Sequence, residues 1–246
     1  MAVLVTRPGA QGYSLCQQLM EAGIASFHHS LLTFTPGSQL SQLSDDIEQI
    51  DIMVAISQHS VAFTDEYFTQ HNISWPQDCH YLAIGHKTAL ELSRVCGQKV
   101  NYPQQSDSEH FLELDDLQDI NKKQIVILRG NGGRELIFDT LVERGAIVEY
   151  REVYQREYRD FDAEVLVAQW QQAHIDTVVI TSSGQLNFFA SKIAEVDLHW
   201  LYSLKLIVPS DRIAKEANAM GFHIVSNTGS AANSDLLATL QPNIGQ

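Results

Sequence analysis

The chain has 246 residues and a mass of 27.5 kDa, with 44% hydrophobic and 19% charged residues, a composition that excludes a disordered protein. Its 16 basic and 30 acidic residues give a formal net charge of −14, so a surface for nucleic acid or anionic lipid is not expected. An anionic small ligand stays compatible with this charge, because a few local cations and backbone amides can bind one.

Short runs of β-branched and apolar residues predict strands that are buried on both faces of a parallel sheet. In chain order these runs are Val3–Thr6, Ile52–Ile56, Tyr81–Ile84, Ile125–Leu128, Thr177–Thr181 and Leu206–Val208. The segments after them have helical spacing. Two apolar stripes are predicted, Leu15, Leu19 and Ala22 closed by Gly23, and Leu136, Ile137, Leu141 and Val142 closed by Gly145. Alternating strands and helices of this kind predict an α/β fold.

An internal repeat indicates two similar α/β domains, each a parallel sheet flanked by helices. At an offset of 122 residues Arg7 falls on Arg129, and at an offset of 125 residues Ser57 falls on Ser182. Since open α/β sheets bind ligands at the carboxyl ends of their strands, we expect the polar residues there to line a ligand cleft between the domains.

Three cysteines, Cys16, Cys79 and Cys96, occur without a CxxC motif or zinc-ligand spacing, so they are predicted to be buried thiols in a reducing compartment. No metal site is expected. The first residues lack the basic stretch of a signal peptide, and no run approaches the roughly 20 apolar residues of a membrane span. The predicted location is therefore cytoplasmic.

The glycine-rich loop after the strand Ile125–Leu128 is a candidate anion-binding site. Its bare backbone amides and its guanidinium groups suit carboxylate or phosphate. The candidate residues are Arg129, Gly130, Asn131, Gly132, Gly133 and Arg134. The loop matches neither a dinucleotide fingerprint nor a Walker loop. The alternative is a structural turn in which Arg134 pairs with Glu135 or Asp139.

Hydroxyl and basic residues after the other strands complete the candidate set. They are Arg7, Ser57, Gln58, Lys87, Thr88, Thr181, Ser182, Ser183, Ser210 and Arg212. The serines also fit helix N-caps, and the two roles can coexist, because a cap that faces a cleft leaves free amides beside it.

Several of these segments together resemble the uroporphyrinogen-III synthase family. They are Val-Leu-Val-Thr-Arg-Pro from Val3, Ala83–Ala89, Ile127–Leu136 with its Arg-Gly-Asn-Gly-Gly-Arg-Glu-Leu, Val153-Tyr154, and Val179–Ser183. The resemblance runs in order from Ala2 to about Leu240. Two segments depart from the family pattern, Ile56-Ser57 in place of Thr-Ser, and Ser210–Ala214 in place of Gly-x-x-Thr-Ala.

The resemblance implies a chain that crosses between two domains twice. Residues 1–33 with 160–246 would form one discontinuous domain and residues 39–150 the other, joined by linker strands 32–38 and 151–159. The repeat alone does not distinguish this division from a simple split near residue 124.

The resemblance also implies a reaction, the cyclisation of the linear tetrapyrrole hydroxymethylbilane with inversion of ring D through a spiro-pyrrolenine. The reaction class is a hydro-lyase that needs no cofactor. Tyr154 matches the family tyrosine that is favoured as the acid for water loss, whereas the alternative is a tyrosine that only packs. The expected partners are the substrate and, transiently, the upstream deaminase, with no nucleic acid, no membrane and a monomeric state.

Two other function classes fit the same features. One is a cytoplasmic binding or sensing module of two domains that takes a polyanionic small ligand without chemistry. The other is a sugar-nucleotide transferase, which the chain length and the absence of a nucleotide fingerprint disfavour.

Overall fold

Eleven strands form two sheets within residues 1–241, which the computed structural model describes. The strands are β1 (Ala2–Val5), β2 (Ala25–His28), β3 (Leu32–Pro36), β4 (Ile52–Ala55), β5 (His80–Ala83), β6 (Val100–Asn101), β7 (Gln124–Gly130), β8 (Ile147–Tyr158), β9 (Thr177–Val179), β10 (Lys205–Val208) and β11 (Ile224–Asn227). All six predicted strands are present, but four of them end one or two residues earlier than predicted.

Helices connect most of the strands. They are α1 (Gly9–Glu21), α2 (Leu43–Asp46), α3 (Gln58–His71), α4 (His86–Cys96), α5 (Ser108–Phe111), α6 (Leu136–Glu143), α7 (Ala163–Gln172), α8 (Ser183–Ala194), α9 (Leu198–Ser203), α10 (Asp211–Met220) and α11 (Asn233–Leu240). Short 3-10 helices cover Leu40–Gln42, Ile47–Gln49 and Asp115–Leu117. The predicted α/β class with helix-flanked parallel sheets is confirmed.

The chain contacts divide the protein into two units. The first unit comprises Met1–Thr33 and the residues from Glu157 onward, and the second comprises Phe34–Arg156. The chain therefore crosses from one unit to the other within β3 and returns within β8. Residues 242–246, which the predicted first domain includes, lie outside the described residues.

The two units share one strand order. The sheet of the first unit runs β2-β1-β9-β10-β11, and β8-β7-β4-β5-β6 is the corresponding order in the second, with β3 outside β8. Apart from β3, the neighbours in both sheets pair in parallel. This order confirms the repeat, because β1 corresponds to β7 and β9 to β4.

Two repeat-related aspartates show the correspondence at atomic level. The Asp51 carboxylate accepts a hydrogen bond from the Gln124 amide at 2.8 Å, and it pairs with the Lys123 ammonium at 2.9 Å. At the equivalent place Asp176 accepts from the Ala2 amide at 3.3 Å, and its other oxygen lies 3.6 Å from the terminal ammonium of Met1. Each carboxylate thus binds the start of the neighbouring strand.

Each sheet has a hydrophobic core on both faces, since successive strand residues point to opposite sides. In the first unit, Leu4 packs with α7, α8, α9 and α10, whereas Val3 and Val5 pack with α1 and α11. In the second unit the two cores contain residues of α3 and α4 on one face and of α5 and α6 on the other.

The predicted helix stripes are narrower than expected. Ala22 is exposed because α1 ends at Glu21 and Ala22 is its C-cap. In α6, Ile137 and Leu141 are buried. Leu136 and Val142, in contrast, are 39% and 45% exposed, which corrects the prediction for both.

The remaining general predictions concern cysteines, metals and membranes. Cys79 and Cys96 are buried free thiols, but Cys16 is only partly buried. Within residues 1–241 no group of three or more His, Cys, Asp or Glu side chains is arranged to hold a metal ion. None of the helices in the same range has the length and apolarity to span a membrane.

Candidate functional site

One edge of the second unit's sheet collects most of the candidate residues of that unit. The strands β8, β7, β4 and β5 are parallel neighbours, so their carboxyl ends lie at the same edge of the sheet. The candidates that end or follow these strands are Ser57, Gln58, Lys87, Thr88, Arg129, Gly130 and Tyr154. Lys87 is exposed in the first turn of α4, and Thr88 beside it is buried.

Tyr154 has its ring in the core and its hydroxyl in polar contacts. The side chain is 1% exposed, and the ring centroid lies 5.9 Å from that of Phe34. Its hydroxyl oxygen accepts hydrogen bonds from Ser57 Oγ at 3.3 Å and from Arg156 Nη2 at 3.0 Å. The packing role of Tyr154 and its polar role are therefore combined in one residue.

An irregular pairing between β7 and β8 places this tyrosine. Arg129 pairs with Glu152, but the next residue, Gly130, pairs with Tyr154, so Val153 is an extra residue in β8. A Cβ atom at Gly130 would lie 2.5 Å from the Tyr154 ring. Glycine is needed at this position because the ring packs directly on its backbone.

Asn131, in the glycine-rich loop, binds the backbone of β8. Its Oδ1 accepts from the Arg156 amide at 2.7 Å, and its Nδ2 donates to the Arg156 carbonyl at 3.2 Å. The two following glycines have φ of +88° and +150°, which suits glycine. The side chain of Asn131 therefore holds Arg156 in place.

Arg129 is buried and interacts with neighbouring side chains of the protein. The residue is 4% exposed, and its guanidinium pairs with Glu135 at 3.1 Å and lies 4.1 Å over the Tyr150 ring. Hydrogen bonds from Tyr150 and Arg129 lower the pKa of Glu135, and burial followed by the bond to Glu135 raises the pKa of Tyr150. The alternative pairing of Arg134 with Glu135 or Asp139 is wrong, because Arg134 instead lies 3.2 Å from Glu109 on α5.

Three of the four candidate serines are helix N-caps, whereas Ser183 is the first residue of α8. Ser57 accepts from the Ser60 amide at the start of α3, and Ser60 binds back to Ser57 in a capping box. The Ser182 and Ser210 side chains accept from backbone amides at the starts of α8 and α10, respectively. The capping interpretation is confirmed for all three.

The first unit has an equivalent edge after β1, β9 and β10. There the Arg7 guanidinium is buried and donates to the amide oxygens of Gln11 and Asn233, and burial lowers the pKa of Arg7. Thr181 donates through its amide and its hydroxyl to Gln185 Oε1, each at 3.0 Å. Arg212 donates to the Ser183 hydroxyl and to Glu216.

Sequence reasoning did not propose Arg156, His59 or Glu135 as site residues. Arg156 is two residues from Tyr154, so the alternation of a strand places both on one face. His59 stacks on Phe34 at 3.8 Å, and its ring lies 5.8 Å from that of Tyr154. Loss of water contact in these surroundings, and then the charge of Arg156, lower the pKa of His59.

Fold and site together define an α/β protein of two repeat-related units. Each unit presents guanidinium groups and helix-capping hydroxyls at the carboxyl edge of a parallel sheet, and the second unit adds a buried phenol.

The chain belongs to the uroporphyrinogen-III synthase family. A family model described as "Uroporphyrinogen-III synthase HemD" matches residues 14–236. The uroporphyrinogen-III synthase of Escherichia coli (strain K12) is 42% identical, and the alignment covers 98% of this chain and 100% of that protein. The enzyme of the same name from Salmonella typhimurium is 36% identical with the same coverage. The predicted family is confirmed.

Solved structures agree on the fold. Uroporphyrinogen III synthase from Thermus thermophilus, as a triple mutant, superposes with a TM-score of 0.60 at 14% identity, covering 98% of both chains. The enzyme from Helicobacter pylori gives a TM-score of 0.60 at 15% identity, covering 97% of this chain and 99% of that one. At these identities the likeness concerns the fold alone.

Proposed function

We propose that this protein is a hydro-lyase that converts hydroxymethylbilane to uroporphyrinogen III, with inversion of ring D through a spiro-pyrrolenine. Membership of the uroporphyrinogen-III synthase family supports the overall reaction. The observation that carries the acid step is the Tyr154 hydroxyl, which is fixed by Ser57 and Arg156 at the edge of the second unit's sheet.

Tyr154 starts the reaction as a general acid. Its proton goes to the terminal hydroxyl of ring A, whose C–O bond breaks with both electrons on the departing water. The lone pair of the pyrrole nitrogen forms a ring C=N bond, and the ring π electrons shift to form the exocyclic double bond of a protonated azafulvene, which keeps its N–H. Ring D attacks through its substituted carbon, and the spiro-pyrrolenine then fragments and closes in the inverted orientation. The reaction has no redox step, so the proposal needs no cofactor.

The candidate cations, hydroxyls and loop amides bind the eight carboxylates of the substrate in this proposal. Arg7 supports this role because its two partners are neutral amide oxygens, so its charge is compensated by neither. Lys87 adds an exposed ammonium beside the buried Thr88. Cations at the carboxyl edge of each sheet explain how a chain of net charge −14 binds a polyanion.

The domain division belongs to the same proposal. We place one domain at residues 1–33 with 160–246 and the other at 39–150, with 32–38 and 151–159 as linker strands. In support, β3 and the second half of β8 fall in the linker ranges, and the chain passes from one unit to the other within those ranges. The monomeric state, the transient contact with the upstream deaminase and the cytoplasmic location stay predictions.

Product isomer analysis tests the function. The purified protein is supplied with hydroxymethylbilane, and the product is oxidised and separated into its type I and type III isomers. Type I forms without an enzyme, so a dominant type III product is the expected result. Type I alone at high protein concentration would contradict the synthase and favour a non-catalytic binding module.

A further inference from the structure

The Tyr154 hydroxyl receives two hydrogen bonds, and one of them comes from a group that can only donate. A guanidinium has no acceptor, so Arg156 Nη2, 3.0 Å from the Tyr154 oxygen, must donate to it. Ser57 Oγ donates to the same oxygen at 3.3 Å. The phenol's own hydrogen is therefore free to point to a third partner, as an acid requires.

Arg156 is held where it makes this contact. Asn131 binds both its amide and its carbonyl, at 2.7 and 3.2 Å. The guanidinium also lies over the Tyr154 ring, with 5.6 Å between the guanidinium carbon and the ring centroid. The hydrogen bonds of Asn131 to the Arg156 backbone and the ring contact of the guanidinium together limit the positions that this exposed side chain takes.

We propose that Arg156 is a positioning residue that stabilises the phenolate formed when Tyr154 gives up its proton. The inference rests on the proposed function, in which that proton leaves with the substrate's hydroxyl as water. The negative charge then left on the phenolate oxygen faces a guanidinium that is already in hydrogen-bond contact, so no rearrangement is needed. The proton released when the macrocycle closes returns to the phenolate, which restores the phenol.

Direct binding of a substrate carboxylate is the alternative role for Arg156, and it predicts different kinetics. A guanidinium that bound a substrate carboxylate directly would act in the ground state and the transition state alike, so its loss would raise KM and leave kcat unchanged. A guanidinium that acts through the phenol lowers kcat, and it has nothing to act on once the phenol oxygen is removed.

Kinetics of a double-mutant cycle test the inference in the full-length protein. Arg156→Gln should lower kcat by about 5- to 30-fold with KM within about threefold, and Arg156→Lys should restore part of kcat. In a Tyr154→Phe background, Arg156→Gln should cost less than about twofold. Arg94→Gln is the matched control, since Arg94 is an exposed arginine that pairs with Glu91 on α4, and it should leave both constants unchanged.

Each other outcome has a defined meaning. Losses that multiply in the double mutant, or a change confined to KM, would overturn the role of Arg156 and leave the synthase proposal intact. Full activity of Tyr154→Phe would instead remove the phenol as the acid, and Arg156's role with it. Absence of type III product from the parent protein would overturn the proposed function itself.

Discussion

Arg129 and Glu135 form an ion pair in which only the carboxylate is open to solvent. Their N–O distance is 3.1 Å, and the side chains are 5% and 55% exposed, respectively. The other oxygen of the same carboxylate accepts from the Tyr150 hydroxyl at 2.7 Å. Arg129, the repeat equivalent of Arg7, is thus covered by the carboxylate of Glu135, which follows the glycine-rich loop. A substrate carboxylate that binds Arg129 would have to displace Glu135.

Glu135→Gln should therefore improve binding of the polycarboxylate substrate. The change removes a competing negative charge that is worth about 0.5–1.4 kcal/mol, so we expect KM to fall by about 2- to 10-fold. Arg129→Ala should act in the opposite direction, costing about 1.5–3 kcal/mol for a lost charged hydrogen bond. Steady-state kinetics measure both, with Glu91→Gln as a surface control. A higher KM for Glu135→Gln would mean that Glu135 orients Arg129 for binding.

Gly130→Ala should displace Tyr154. The new Cβ would lie 2.5 Å from the tyrosine ring, and relieving that contact should cost about 1–3 kcal/mol of the free energy of unfolding. Urea unfolding measures the loss. In a Tyr154→Ala background the same change should cost clearly less, because the ring is gone. An equal cost in both backgrounds would show that the backbone at Gly130, rather than the ring, resists the methyl group.

The order of elements was predictable from the sequence because it depends on local pattern. Strands buried on both faces contain continuous apolar runs, such as Ile52–Ala55 of β4 and Ile125–Leu128 of β7, and glycines with positive φ follow α1 and α6 as expected. The repeat was predictable for the same reason, since residues such as Asp51 and Asp176 keep one role at one place in each unit.

The contacts of the site were less predictable because they depend on strand register and side-chain direction. Tyr154 lies against Gly130 only because Val153 is an extra residue in β8, and no pattern in the sequence marks such an irregularity. Glu135 likewise turns to Arg129 instead of its neighbour Arg134, which pairs with Glu109. The sequence predicts which residue types lie at the sheet edge, but it does not predict which of those residues contact one another.

Stability of the first unit should fall as the pH drops below about 6.5. His29 lies against Phe161 and Trp170, and among the described residues its Nε2 has no hydrogen-bond partner. Burial, and then the charges of Arg159 and His28, lower the pKa of His29. The unfolded chain therefore takes up a proton at higher pH than the folded chain. As the pH falls, this group lowers the free energy of unfolding by up to about 1.4 kcal/mol per pH unit.

His29→Phe should reduce this pH dependence, because a phenyl ring fills the aromatic site without a titratable nitrogen. The measurement is the free energy of unfolding in urea at about pH 5.5, 6.5 and 7.5. We choose these values because they lie above the pH range in which carboxylates titrate and on both sides of the ordinary histidine pKa of about 6.5. His223→Gln, at an exposed position, is the control and should keep the parent slope. An unchanged slope for His29→Phe would show that His29 does not cause the pH dependence.

Tyr154→Phe should lower turnover and still give mainly the type III isomer. A general acid typically contributes about 100- to 10,000-fold. Because the adjacent pyrrole assists departure of this hydroxyl, we expect a loss at or below the lower end of that range, about 10- to 100-fold in kcat. Ring inversion depends on the conformation in which the substrate is bound. Many cations, hydroxyls and amides at the sheet edges bind the substrate, and the variant retains them. Rate measurement with isomer separation of the oxidised product checks both parts. Full activity would show that the phenol only packs, and a mainly type I product would show that it positions ring D.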